Sequence, residues 1–142
     1  MKLFKNLNEE QKQALLKYPA YISLLAAFRN DKLDEDEKKS AINCAHIQTL
    51  SCDSLLIEFY KEADKVFESN LEQLDKDLPE EIVSRETAIK NEIMNLEKTV
   101  EMLGKVYAST LHQSLEIFKE HVSNVHHSVM MDFTLPSLTG IF

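Results

Sequence analysis

The sequence predicts an all-α fold, and three observations predict it. In 142 residues there are two glycines (Gly104 and Gly140) and three prolines (Pro19, Pro79 and Pro136). These are too few to supply the tight turns of a β protein. Large apolar residues recur at steps of three and four, the period of one helix face. Leu, Lys, Glu and Ala are abundant, as helices prefer. The length is that of one ordinary domain, and a chain of this size buries roughly 68–70% of its extended surface without a covalent staple. The expectation is a single helical bundle of about five to six helices over residues 1–142. It has helices across 1–77, a long helix or helix pair across 79–132, and an apolar tail across 133–142.

The elements follow in order. "LNEEQKQALLKY" offers Asn8 as an N-cap, acids in the first turn, and Ala14, Leu15 and Tyr18 as an apolar edge. This predicts a short helix over 8–17. Pro19 suits the first turn of a second helix, where its missing N–H costs nothing. That helix, "PAYISLLAAFRN", is apolar on nearly every side, so neighbours must bury it on several faces.

Residues 30–42, "NDKLDEDEKKSAI", open the third helix. Asp34 and Glu37 have the spacing of a capping box. Asp34, Glu35, Asp36 and Glu37 lie at the positive end of the helix dipole, each contributing about 0.3–1 kcal/mol. Leu33 is apolar within this run and is expected to plug down between two helices. The helix then continues through "KKSAINCAHIQ" to near Thr49. Leu56, Phe59, Ala63, Phe67, Leu71, Leu74 and Leu78 mark a fourth helix of about 25 residues. Pro79 ends it and can begin the next.

A longer stripe runs from Ile89 through Ile93, Leu96, Val100, Leu103 and Tyr107. It continues through Leu111, Leu115, Phe118, Val122 and Val125 to Val129, with unbroken phase across Gly104. A straight helix over 80–131 would be about 78 Å long, against a radius of gyration of about 14–15 Å for a compact domain of this size. Either the helix protrudes to a partner, or it bends near Gly104 into two antiparallel helices; the length favours the bend. The tail "VMMDFTLPSLTGIF" carries no charge after Asp132. It either caps the bundle core or serves as an arm that docks on another chain.

The net charge is −8. It is +3 over residues 1–30, −10 over 31–101 and −1 over 102–142. Such a surface disfavours nucleic acid and anionic membrane as partners, and the basic N-terminal third (Lys2, Lys5, Lys12, Lys17, Arg29) lacks interleaved aromatics. No stretch is apolar and long enough to span a bilayer, and "MKLFKNLNEE" has no signal-peptide core. Two cysteines, Cys44 and Cys52, fit reduced thiols in a cytoplasmic protein.

Several chemistries are set aside. Two glycines cannot build a phosphate-cradling or dinucleotide loop. No G-x-S-x-G, H-E-x-x-H, C-x-x-C or E-x-x-H pattern occurs, which disfavours the hydrolase, zinc, redox and di-iron readings. Cys44, His46 and Cys52 match no common zinc spacing. The remaining histidines (His112, His121, His126 and His127) share no clean i, i+4 face. A nucleophilic cysteine is disfavoured because acidic surroundings raise a thiol pKa. The acid run fits no EF-hand frame. Starting at Asp31 puts Leu33 at a ligand position, and starting at Asp34 puts Lys38 and Lys39 at the fifth and sixth. A looser cation site of Asp31, Asp34 and Glu37 stays open beside the capping account.

"YISLLAAFRNDKLDEDEKKSAI" resembles the segment typical of the tellurite-resistance TerB-like family. There a small-residue helix is followed by a D-G-x-(I/L)-D-x-x-E turn and a new helix. Asp31, Leu33, Asp34 and Glu37 fall on that pattern, Lys32 stands where the glycine would, and the acid turn has no second copy in the chain. The resemblance covers residues 21–42. It implies a compact helical bundle with a scaffold or sensor role in stress response, rather than catalysis.

The expected function is that of a non-enzymatic helical interaction or scaffold protein, without cofactor. A protein partner is expected, with a second copy meeting the stripe of 89–129 and the tail of 133–142. The alternative is a TerB-like stress-response protein holding a divalent cation at its acidic turn.

Overall fold

The computed structural model describes residues 4–27 and 35–125. Within them the chain is helical, with no strand. The helices are α1 (Glu9–Leu16), α2 (Tyr18–Ala27), α3 (Glu35–Ser51), α4 (Ile57–Asp77), α5 (Ile82–Glu101) and α6 (Lys105–Val125). A 3₁₀ turn, Ser54–Leu56, leads into α4. The all-α bundle expected from the apolar periods is the fold observed.

Local chemistry sets the boundaries. Asn8 caps α1: its side chain accepts from the Gln11 amide at 2.7 Å, and the Gln11 side chain accepts from the Asn8 amide at 2.9 Å. Two orphan amides are satisfied by this reciprocal box. Asp53 starts the 3₁₀ turn by accepting from the Leu55 amide at 2.9 Å. Pro79 stops α4 but does not open α5, as the sequence had suggested. Leu78 is already extended at ψ 152°, and Glu81 caps α5 by accepting from the Ser84 amide at 2.9 Å.

α2 is the centre of the bundle. Every residue from Tyr18 to Ala26 is buried, and α2 packs against all five other helices. A helix with no polar face can exist in water only if it is enclosed in this way. The α4 stripe faces it, with Leu56, Phe59, Ala63, Phe67, Leu71 and Leu74 buried. Phe4, ahead of α1, is driven into the same core. Its ring stands edge-on to Phe59 at 6.3 Å and to Tyr107 at 6.1 Å, an arrangement that aromatic quadrupoles favour. Phe67 meets Phe118 edge-on at 6.1 Å and so ties α4 to α6.

The long C-terminal stripe does break, at residues 102–104. α5 ends at Glu101 and α6 begins at Lys105. Gly104 adopts φ +94°, a conformation that L-residues with a Cβ rarely take. The stripe positions Ile89, Ile93, Leu96, Val100, Tyr107, Leu111, Leu115, Phe118 and Val122 are buried within the chain's own core. Those side chains pack within the bundle, while Met94, Val106 and Ile117 on the same two helices are exposed. The expected Leu33 plug, the Asp34 cap, Val129 and the tail of 133–142 lie outside the described residues.

The turn between α4 and α5 is held by charge. Arg85 pairs with Asp75 and also donates to the Pro79 carbonyl at 3.1 Å and the Asp75 carbonyl at 3.4 Å. Both side chains are buried, at 6% and 5% exposure. The guanidinium thus serves a carboxylate and two carbonyls at a helix end, where cationic donors are favoured.

A Cβ built at Gly104 meets no atom within 4 Å, so substitution there strains the backbone alone. Gly104→Ala should lower unfolding stability by about 1–3 kcal/mol, and Gly104→Asn by less, because Asn tolerates positive φ. Urea unfolding of both variants checks this; an unchanged midpoint for Gly104→Ala would contradict it.

Candidate functional site

α5 packs on α1 and α2, whereas α6 packs on α2 and α3. The two therefore straddle α2, and they share few contacts with one another. Between them opens a cleft of about 830 Å³, within the range of ligand-binding clefts. From α5 it receives Glu97, Val100 and Glu101; Gly104 lies at its apex. From α6 it receives Lys105, Ala108, Ser109, His112 and Gln113. Steps of three and four on both helices mean that two facing helix sides form the walls. Val100, Glu97 and His112 are buried at the floor; Glu101, Lys105, Ser109 and Gln113 are exposed along the rim.

A polar network crosses that floor. The Tyr18 hydroxyl donates to Glu97 Oε2 at 2.7 Å, and His112 Nε2 lies 2.6 Å from Glu97 Oε1. Tyr18 is 0% exposed, His112 1% and Glu97 7%. Either imidazole tautomer brings Nε2 and the carboxyl together, with the donor set by where the proton sits. One carboxylate thereby joins α2, α5 and α6 at the position where the hairpin opens. The group fixes the imidazole's orientation and places a carboxylate and an imidazole in the floor of the cleft.

A second buried set lies between α3, α4 and α6. Gln48 Nε2 donates to Ser114 Oγ at 2.6 Å, and the Tyr60 hydroxyl shares a hydrogen bond with the same oxygen at 2.7 Å. Near it, Pro19, Ala45, Phe67 and Phe118 surround a cavity of about 10 Å³, with Asp64 at its edge. That volume holds one water at most. Asp64 Oδ2 lies 2.7 Å from His46 Nδ1 on the bundle surface.

The residues singled out in the sequence fall differently. Glu37 is on α3 and is buried, at 7% exposure, where a solvated first turn was expected. Asp31 and Asp34, its companions in the cation reading, lie outside the described residues, as do His126 and His127. Among the described residues no three His, Cys, Asp or Glu side chains converge on a metal position. Cys44 is buried and Cys52 half-buried, and both are free thiols. Burial pushes both thiols up, and Asp53 adds to the rise at Cys52. Both shifts oppose a nucleophilic thiolate. Among the described residues no helix is long and apolar enough to cross a membrane.

Glu97 and Tyr18 had no place in the sequence reading of function, and His112 was read only as a histidine sharing no clean face with the others. A signal existed: Glu97 follows Ile93 by four and Leu96 by one, which sets it at the edge of the buried face. Nothing local showed that Tyr18, 79 residues away, would meet it.

Three tyrosines are poised against ionisation. Burial pushes Tyr21 up to about 12, with Glu92 adding to the rise. Burial raises Tyr60 and Tyr107 further, the latter aided by Glu58. In the unfolded chain these phenols ionise from about pH 10. Above that pH the unfolded state holds fewer protons than the folded one, so stability falls as pH rises. Absorbance at 295 nm should show phenols that titrate only as the helices melt; titration of every tyrosine near pH 10 with the fold intact would contradict this. Tyr18→Phe should cost about 1–3 kcal/mol, the penalty of leaving a buried acceptor without its donor, measured by denaturant unfolding at neutral pH.

Comparison with family models, with curated proteins and with solved structures returned no match.

Proposed function

We propose that this chain is a non-enzymatic helical interaction module, and that its α5–α6 cleft receives an apolar segment of a protein partner. The carrying observation is the cleft of about 830 Å³ between two helices that diverge around α2. Its rims continue as apolar surface. Met94 precedes Glu101 by seven residues and so lies on the same face of α5; it is 60% exposed. Val106 precedes Ser109 and Gln113 by three and seven residues on α6 and is 75% exposed. Methionine adapts to varied partners, and a groove between two helices accepts the apolar side of a third. The net charge of −8 favours a partner whose apolar stretch is flanked by Lys or Arg.

Selection from a random-peptide display library tests this. Enriched peptides should carry apolar residues at steps of three and four beside basic ones. Ser109→Trp, which fills the cleft from an exposed position, should weaken them at least tenfold, and Glu68→Trp on the exposed side of α4 should not. Peptides that bind Ser109→Trp as tightly as the parent chain would sink the reading.

A further inference from the structure

We propose that the α5–α6 cleft recognises a charge pair on the segment it receives. A Lys or Arg of the partner meets Glu101, and an Asp or Glu within one helical turn of it meets Lys105. The proposal rests on the cleft's receiving a partner segment, and it adds what fixes that segment's direction and register. The two walls of the cleft carry opposite charges. α5 supplies Glu101, with the Glu97 carboxyl one turn below it on the same face. α6 supplies Lys105 and, one turn on, the Ser109 hydroxyl. Gly104 stands between Glu101 and Lys105 at the closed end, and Val100 and Ala108 face the space between the walls. A fitting occupant is therefore apolar against Val100 and Ala108 and carries both signs of charge beside Gly104.

The fold itself uses neither charge. Glu101 and Lys105 are both exposed. Among the described residues they make no ion pair, with each other or with any other side chain. Each also stands at the helix end that its sign disfavours. Glu101 is the last residue of α5, where the helix dipole favours a cation. Lys105 is the first residue of α6, where it favours an anion. Helix stability therefore accounts for neither placement, whereas a segment of complementary charge answers both. Complementary charges across an interface set register and partner choice more than raw affinity, and like charges brought together there are strongly unfavourable.

The test is selection of random displayed peptides against the parent chain and against a charge-swapped chain, Glu101→Lys with Lys105→Glu. Peptides selected on the parent should carry a basic and an acidic residue at one fixed spacing. They should bind the swapped chain at least tenfold more weakly, and exchanging their own two charged residues should restore that binding. Glu101→Gln alone, a near-isosteric change at an exposed site, should weaken them about two- to fivefold. The swap moves each charge to the helix end that favours it, so the swapped chain should melt no lower than the parent. A lower melting temperature would show the native charges serving the fold and would overturn the proposal. Peptides that Ser109→Trp weakens tenfold, yet that bind the parent, Glu101→Gln and swapped chains equally, would overturn it and leave the cleft reading standing. Binding that survives Ser109→Trp, or a selection that enriches no peptide, would overturn the cleft reading itself, so the two failures are distinguishable.

Discussion

The enclosure of α2 is the constraint on which the other features depend. From Tyr18 to Ala26 the only polar side-chain groups of this helix are the hydroxyls of Tyr18, Tyr21 and Ser23, and all three residues are buried. Burying each large apolar side chain is worth about 1.5–3 kcal/mol, so the lowest free energy comes from surrounding the helix completely. α1, α3, α4, α5 and α6 all contribute to that sleeve. A sleeve around a central rod has a geometric consequence. The last two helices cannot pack flat against one another and also flank α2. They part, and the cleft is what remains between them.

The polar groups inside the bundle act at the joints of this arrangement. Glu97 binds the start of α2 and the inner face of α6 at once. Arg85 and Asp75 close the turn between α4 and α5. Gln48, Ser114 and Tyr60 join three helices through one hydroxyl. Apolar contacts are nondirectional, so they tolerate sliding and rotation of one rod on another. Hydrogen bonds at 2.6–2.7 Å do not, and removing one partner leaves a desolvated group behind. These clusters therefore fix helix register more than they add net stability. The cleft inherits that rigidity, since Glu97 and His112 are part of its floor.

Much of the fold was legible along the chain. The Asn8 cap, the stripe from Leu56 to Leu74 and the burial of α2 all depend on residues within a few turns of each other; the reciprocal Gln11 emerged only in the structure. The bend near Gly104 was favoured by length alone, because the apolar phase runs through the glycine without interruption. Glu97 and Asp75 read as two more surface acids in an acidic chain. Each lies beside a stripe leucine (Leu96 and Leu74), yet their partners come from other helices or from across a turn. Glu37 likewise carried every local mark of a solvated first turn and is buried instead.

The amino-acid order alone determined that the chain forms rods, where most of them begin and end, and which side of each is hidden from water. Those properties follow from a 3.6-residue period and from capping side chains three residues away. Only tertiary packing decided that Tyr18, Glu97 and His112 converge, and that α5 and α6 stand apart over a groove. Such meetings depend on how each rod is rotated and crossed against α2. That choice is made by the summed packing of all six helices, and no single stretch of sequence encodes it.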